Sequence, residues 1–143
     1  MKLRDRVAII TGASRGVGRF MAIEMAKEGC NIVVAARSEE VTDPKLPGTI
    51  YSTAEELRSL GVRALPVRTD VTDETSIEAM VRETLREFGR IDVLINNAGI
   101  MTPGRLIDLP LKRWDLIWRV NVRGAVACCK AVLPAMIEQH DGV

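Results

Sequence analysis

The sequence predicts an α/β chain in which parallel strands alternate with helices, and three observations carry that prediction. The run VAIITGASRGVG over residues 7–18 joins a β-branched apolar segment to a turn with glycines at 12, 16 and 18, and a helical pattern follows. The stretch NIVVAA over residues 31–36 is continuously apolar, as a parallel strand covered on both faces must be. Around these, apolar residues recur at helical spacing, and each such run stops at a glycine: Gly29, Gly61 or Gly89.

Composition narrows the class. A chain of 143 residues can bury the core of one compact domain. Its hydrophobic share of 47% and charged share of 27% are those of an ordinary globular protein. A formal net charge of +1 gives no electrostatic footprint for nucleic acid or an anionic membrane. The start MKLRDRV lacks the apolar centre of a signal peptide, and no uninterrupted apolar run is long enough to cross a bilayer. The expectation is a cytoplasmic protein with neither nucleic acid nor membrane as partner. Cys30, Cys128, Cys129 and the single His140 show no metal-ligand spacing, so no metal is expected and the thiols read as reduced packing residues.

The elements follow in order. A helix that enters from a glycine turn directs its unpaired N–H groups and positive dipole end outward, which suits a pyrophosphate. Gly12 fits the tight turn, Gly16 the approach of a ligand, and Gly18 the close packing of helix on strand. Val17, Phe20, Met21 and Met25 then fall at helical spacing and predict the face laid on the sheet. The strand at 31–36 completes a right-handed crossover and closes with Ala36 and Arg37. A carboxylate at the end of this strand would bind ribose hydroxyls and repel a phosphate, whereas an arginine would attract it. Arg15 is able to approach from the glycine loop, while Glu39 and Glu40 pull the other way.

Val41 to Tyr51 (VTDPKLPGTIY) reads as an inserted loop, and Ser52 with Glu55 as the capping box of a short helix edged by Leu57 and Leu60. Arg63 to Val71 predicts the third strand, with Pro66 in its middle, which only an edge strand tolerates. Ile77, Met80, Val81, Leu85 and Phe88 predict the next helix, and Ile91 to Ile95 a fourth strand that runs into Asn96-Asn97-Ala98-Gly99. Those asparagines can tie neighbouring strand ends together. From Pro110 a single long helix is expected, with Trp114, Ile117 and Trp118 on an apolar face, Gly124 allowing close packing, and a kink at Pro134.

The loop Thr11-Gly12 to Gly18 (TGxxxGxG) and the NNAG stretch together resemble the short-chain dehydrogenase/reductase family. The resemblance implies a Rossmann-type doubly wound sheet of order 3-2-1-4, in which the third strand is the edge and Pro66 is explained. It implies a cofactor site made by Gly12, Ser14, Arg15, Gly16, Val17, Gly18, Arg37, Asp70, Val71, Asn97, Ala98, Gly99 and Val120, with Asp70 on the adenine amino group. The pair Arg15 and Arg37 resembles the NADP-preferring pattern, so NADP is expected over NAD. Asn121, in VNVRG, matches the family's catalytic asparagine, which holds a water in a proton relay. The stretch DPKLPGTIYSTAEEL resembles a narrower subgroup that includes the hydroxysteroid dehydrogenase-like protein 2 type.

The sequence also departs from the family. Its catalytic serine and Tyr-x-x-x-Lys pair have no counterpart, since the only tyrosine, Tyr51, is followed four places later by Glu55. The expectation is therefore the N-terminal, cofactor-binding part of a longer domain, truncated before the fifth strand and inactive alone. The complete enzyme would be a homo-oligomer that transfers hydride between NADP(H) and a small alcohol or carbonyl substrate. The alternative is a non-catalytic dinucleotide-binding protein, a sensor or partner subunit. A methyltransferase of related fold is opposed by NNAG and VNVRG. A further expectation is an open edge along Ile91 to Ile95, with Asp92 as its only charge, and a tryptophan face short of partners.

Overall fold

The computed structural model describes residues 1–143. Four strands, β1 (Val7–Thr11), β2 (Asn31–Ala36), β3 (Ala64–Arg68) and β4 (Val93–Ile95), form one sheet in the order β3-β2-β1-β4. Every pairing in it is parallel. Helices α1 (Gly16–Lys27) and α2 (Ile50–Ser59) supply the core residues of one face. The other face is covered by α3 (Glu74–Phe88) and α5 (Ala125–Gln139).

Strand alternation sorts the core into two layers. Ala8, Ile10, Ile32 and Val34 pack with Ala22, Ala26, Ile50 and Leu57, whereas Val7, Ile9, Val33 and Ala35 pack with Ile77, Met80, Cys128 and Val132. All of β1 and nearly all of β2 are buried, which is why neither strand alternates in sequence. Each fully buried valine or isoleucine contributes about 1.5–3 kcal/mol. Cys30 and Cys128 belong to these layers, and burial pushes both thiols up to about 11.

Several local expectations are corrected. Of the expected face of α1, Met21 and Met25 do pack against the core, but its buried centre is the small-residue stripe Gly18, Ala22, Ala26, and Val17 and Phe20 are 68% and 62% exposed. A helix seated this close to a strand has room for methyl groups and none for a phenyl ring. Helix α2 begins at Ile50, so Tyr51 is helical and not part of the loop. Its capping box is Thr49 with Ser52: the Ser52 N–H donates to Thr49 Oγ1 at 3.0 Å, and the Thr49 N–H donates to Ser52 Oγ at 2.9 Å. Strand β3 is shorter than Arg63 to Val71, but it is the edge, with Pro66 opposite Val34.

Asp92 does not shield an edge. It is 2% exposed, and its carboxylate accepts from Arg6 Nη1, Arg90 Nε and the Val7 N–H, each at 2.8 Å. Nor is the outer side of β4 wholly open. The Leu94 N–H donates to the Val143 carbonyl and the Val143 N–H to the Asp92 carbonyl, both at 2.9 Å, so Val143 sits beside β4 as a parallel strand residue would. Gln139 docks the end of α5 on the start of this strand, accepting from the Ile91 N–H at 3.0 Å and donating to the Ile91 carbonyl at 2.8 Å.

The expected long helix runs from Leu111 to Gln139 in three parts: α4 (Leu111–Trp118), a π-helical stretch Arg119–Gly124, and α5, which contains Pro134. By length and apolar composition alone these 29 residues are long enough to cross a membrane, unlike the uninterrupted runs sought in the sequence. Arg123 and Lys130 lie within them, and Cys128, Val132 and Met136 are buried in the core. Trp114 and Trp118 are 42% and 64% exposed, so the tryptophan side of α4 covers no core here.

Candidate functional site

The C-terminal ends of β1, β2 and β4 meet at one edge of the sheet, and Thr11 is the pivot that fixes their relation. Its hydroxyl, buried with the rest of β1, accepts from the N–H groups of Asn97 at 3.1 Å and Ala98 at 3.0 Å, and donates to the Ile95 carbonyl at 3.3 Å. Asn97 Nδ2 donates back to the carbonyls of Thr11 at 2.9 Å and Gly12 at 3.2 Å. The expected tie between strand ends is present, and it is made by Asn97.

This clasp leaves no room for side chains in the turn. A Cβ on Gly18 would stand 2.5 Å from both Asn97 Nδ2 and the Gly12 carbonyl oxygen, and one on Gly12 would meet Asn97 Nδ2 at 2.9 Å. Gly16 differs: with φ +57° it borders open space, with nothing within 4 Å of a Cβ. The N-cap of α1, Arg15, makes no side-chain cap bond, and the first turn carries no acidic residue. The first-turn N–H groups therefore have no side-chain partner from the cap, and the positive end of the helix dipole there favours an anion.

A cleft of ≈ 390 Å³ lies along this edge. Of the residues singled out by sequence, Gly12, Ser14 and Arg15 line it from the glycine loop, Arg37 from the end of β2, and Asp70 and Val71 from beyond β3. Ala98, Gly99 and Val120 close its far end. Gly16, Val17, Gly18 and Asn97 stand at or behind the turn and are not part of the wall.

Charge is arranged unevenly along the cleft. Arg15 donates to the Ser38 hydroxyl and to the Leu46 carbonyl, the latter at 3.1 Å. Arg37 makes no ion pair or hydrogen bond. Glu39 does not line the cleft; it accepts from the Tyr51 hydroxyl at 2.8 Å and pairs with Arg68 at 3.3 Å. Asp70 would be pushed up by burial, but the N–H and hydroxyl of Thr72, with the charges of Arg37 and Arg68, hold it below the ordinary carboxylate range. Asp70 thus also anchors the turn after β3, and Asp73 takes the N-cap of α3 through the Thr75 N–H at 3.0 Å.

At the other end, Asn121 sits in the π-helical stretch and is tied to Ile100. Its Oδ1 accepts from the Ile100 N–H at 2.8 Å and its Nδ2 donates to the Ile100 carbonyl at 2.9 Å. One lone pair and one N–H of the amide are left over. Single π turns recur at functional sites because they shift the register of the residues they carry. Gly124 lets this segment close on the loop after β3, since a Cβ there would lie 2.9 Å from Val71 Cγ2. Sequence reasoning named Thr11 only as the start of the glycine motif, without its clasp on Asn97, and missed Ser38, Leu46 and Ile100 as parts of the site. Thr11, a lone hydroxyl ending an apolar strand, carried a readable signal; Leu46 carried none.

The family model described as short chain dehydrogenase matches residues 6–143. Hydroxysteroid dehydrogenase-like protein 2 of Homo sapiens is 45% identical over 133 residues, which are 93% of this chain and 32% of that protein. Among solved structures, a short chain dehydrogenase of Mycobacterium thermoresistibile superposes with TM-score 0.87 at 40% identity, over 93% of this chain and 47% of that one. NAD+-bound xylitol dehydrogenase does so with TM-score 0.90 at 31% identity, over 99% and 52%. The chain thus spans about a third of the curated relative and about half of these solved structures.

Proposed function

The chain belongs to the short chain dehydrogenase family, and from that premise we propose that residues 1–143 are the dinucleotide-binding domain, or part of it, of an NADP-dependent oxidoreductase acting on a small alcohol or carbonyl compound. The observation that carries the reading is the clasp between Thr11 and Asn97, which places an anion-ready turn and the small residues Ala98 and Gly99 along one cleft. The residues present fit a nicotinamide dinucleotide. The N–H groups of the first turn of α1 would take the pyrophosphate, Asp70 and Val71 the adenine, and Ala98, Gly99 and Val120 the stretch toward the nicotinamide.

When bound, the nicotinamide supplies or accepts hydride. The chain's own residues bind and orient. Arg37 makes no hydrogen bond or ion pair, Asp70 feels its charge without contact, and Arg37 lines the same cleft as Arg15, where it would meet a ribose phosphate. Asn121, held by Ile100, keeps a lone pair and an N–H with which to hold a water. No Tyr-x-x-x-Lys pair occurs in residues 1–143, so in this reading the proton for the carbonyl oxygen is not delivered by these residues. The same reading makes the working protein a cytoplasmic homo-oligomer, with no part for nucleic acid or membrane.

Titration of NADP and NAD against the protein and Arg37→Asp tests this. NADP should be preferred, and the substitution should cost about 1.5–3 kcal/mol of NADP binding with little effect on NAD. A protein that prefers NAD, or a ratio unmoved by the substitution, overturns the assignment.

A further inference from the structure

The segment between β2 and α2 is more than a surface excursion. It lies on the glycine loop. A Cβ on Gly48, whose φ is +113°, would stand 2.5 Å from the Ser14 carbonyl oxygen, and that same oxygen accepts from the Thr53 hydroxyl at 3.1 Å. Leu46 lines the cleft, and its carbonyl accepts from Arg15. A turn shapes this carbonyl's position: the Leu46 N–H donates to the Asp43 carbonyl at 2.9 Å, and the Lys45 N–H to Asp43 Oδ1 at 2.9 Å. At the start of α2, the Tyr51 hydroxyl donates to Glu39, which also pairs with Arg68 and is not among the residues lining the cleft.

These contacts act on the two arginines from opposite sides. The guanidinium of Arg15 is a long flexible group that would lose much rotamer freedom on meeting an anion; a carbonyl and a hydroxyl already hold it at the cleft wall. Glu39, two residues from Arg37, would neutralise that arginine if it swung back; the Tyr51 hydroxyl holds it off. Building on the reading of the cleft as a dinucleotide site, we propose that the segment 41–49 and the first turn of α2 are a specificity element for phosphorylated dinucleotide, with Leu46 and Tyr51 as positioning residues that hold Arg15 in place and keep Glu39 off Arg37. Neither needs to touch the ligand.

The test separates positioning from simple structural support, because loss of support would weaken NADP and NAD alike. In the full-length protein, Gly48→Ala must lift the segment off Ser14, since alanine is strained at that φ and its Cβ has no space. Expected is about a tenfold loss of NADP affinity with NAD changed less than about twofold. Tyr51→Phe, at a half-exposed position, removes only the hydroxyl. It should lower NADP affinity several-fold, and adding Glu39→Gln to it should restore the original value. Should Gly48→Ala not fold, the tyrosine pair decides alone. Equal losses for both dinucleotides, or an unchanged ratio in Tyr51→Phe, overturn the inference while leaving the cleft assignment standing. A parent protein that binds neither dinucleotide overturns both, and one that prefers NAD overturns the inference while leaving the cleft a dinucleotide site; either result is read before any variant is made.

Discussion

Asn97 and Thr11 are bonded in both directions: the Asn97 N–H donates to the Thr11 hydroxyl at 3.1 Å while the Asn97 side chain donates to the Thr11 carbonyl at 2.9 Å. The loop after β4 is thereby locked to the glycine turn after β1, two segments more than eighty residues apart in sequence. The Ala98 N–H shares the same hydroxyl.

Replacing Thr11 by valine keeps the shape and removes the acceptor from two N–H groups. The cost should be about 1–3 kcal/mol in urea unfolding, with faster amide exchange at Asn97 and Ala98. Unfolding midpoints equal to those of the parent would show that water replaces the hydroxyl without loss, and that the pivot is ornamental.

Gly18 is the tightest position in the turn. Gly18→Ala puts a methyl group 2.5 Å from the Gly12 carbonyl oxygen, which is backbone and cannot rotate away. Overpacking of this kind costs about 1–3 kcal/mol, and dinucleotide affinity should fall with it because the turn must open. Gly16→Ala has space around it, so its cost should come from its positive φ alone and be smaller. Thermal unfolding of the two variants checks the order.

The ionic cluster at the start of β1 makes stability depend on pH. Burial would push the Asp92 carboxyl up, but hydrogen bonds from Arg90, Arg6 and the Val7 N–H hold it below the ordinary range. A carboxylate with a depressed folded-state value stabilises the fold above its unfolded pKa, about 3.9, and that contribution is lost as pH falls through the lower folded value. Asp92→Asn should therefore be less stable than the parent near neutrality, by about 1–3 kcal/mol, and the gap should close below about pH 4. Parallel stability curves down to pH 2.5 or so would mean that Asp92 is not the linked group.

Strands β1 and β2 were legible because burial on both faces demands continuous apolar runs, and the edge position of β3 was legible from Pro66 once the order of strands was inferred. The buried face of α1 was not. Large apolar residues dominate its periodicity, and Met21 and Met25 do pack on the core, yet Val17 and Phe20 are exposed and the buried centre is Gly18, Ala22 and Ala26, whose smallness gives weak hydropathy signal. The start of α2 was misread because its box pairs Thr49 with Ser52 in place of the commoner glutamate. Asp92 looked like an exposed edge charge because nothing local shows that Arg6, more than eighty residues away, reaches it. The glycine loop and Arg37 were legible because a right-handed crossover brings two strand ends to one edge, and the NNAG stretch because the family resemblance implied the strand order that sets it beside them. Their neighbours Leu46 and Ile100 act through main-chain atoms, on which side-chain patterns are silent.

The central claim is that a phosphorylated dinucleotide lies along the cleft at the ends of β1, β2 and β4, and backbone amide NMR during an NADP titration tests it most directly. The account predicts the largest shifts at Gly16, Val17 and Gly18, where N–H groups meet phosphate, with further shifts at Arg37, Asp70, Val71 and Ala98. Saturation with these signals unmoved, or shifts confined to the groove between α3 and α5 around Glu78 and Lys130, would contradict it.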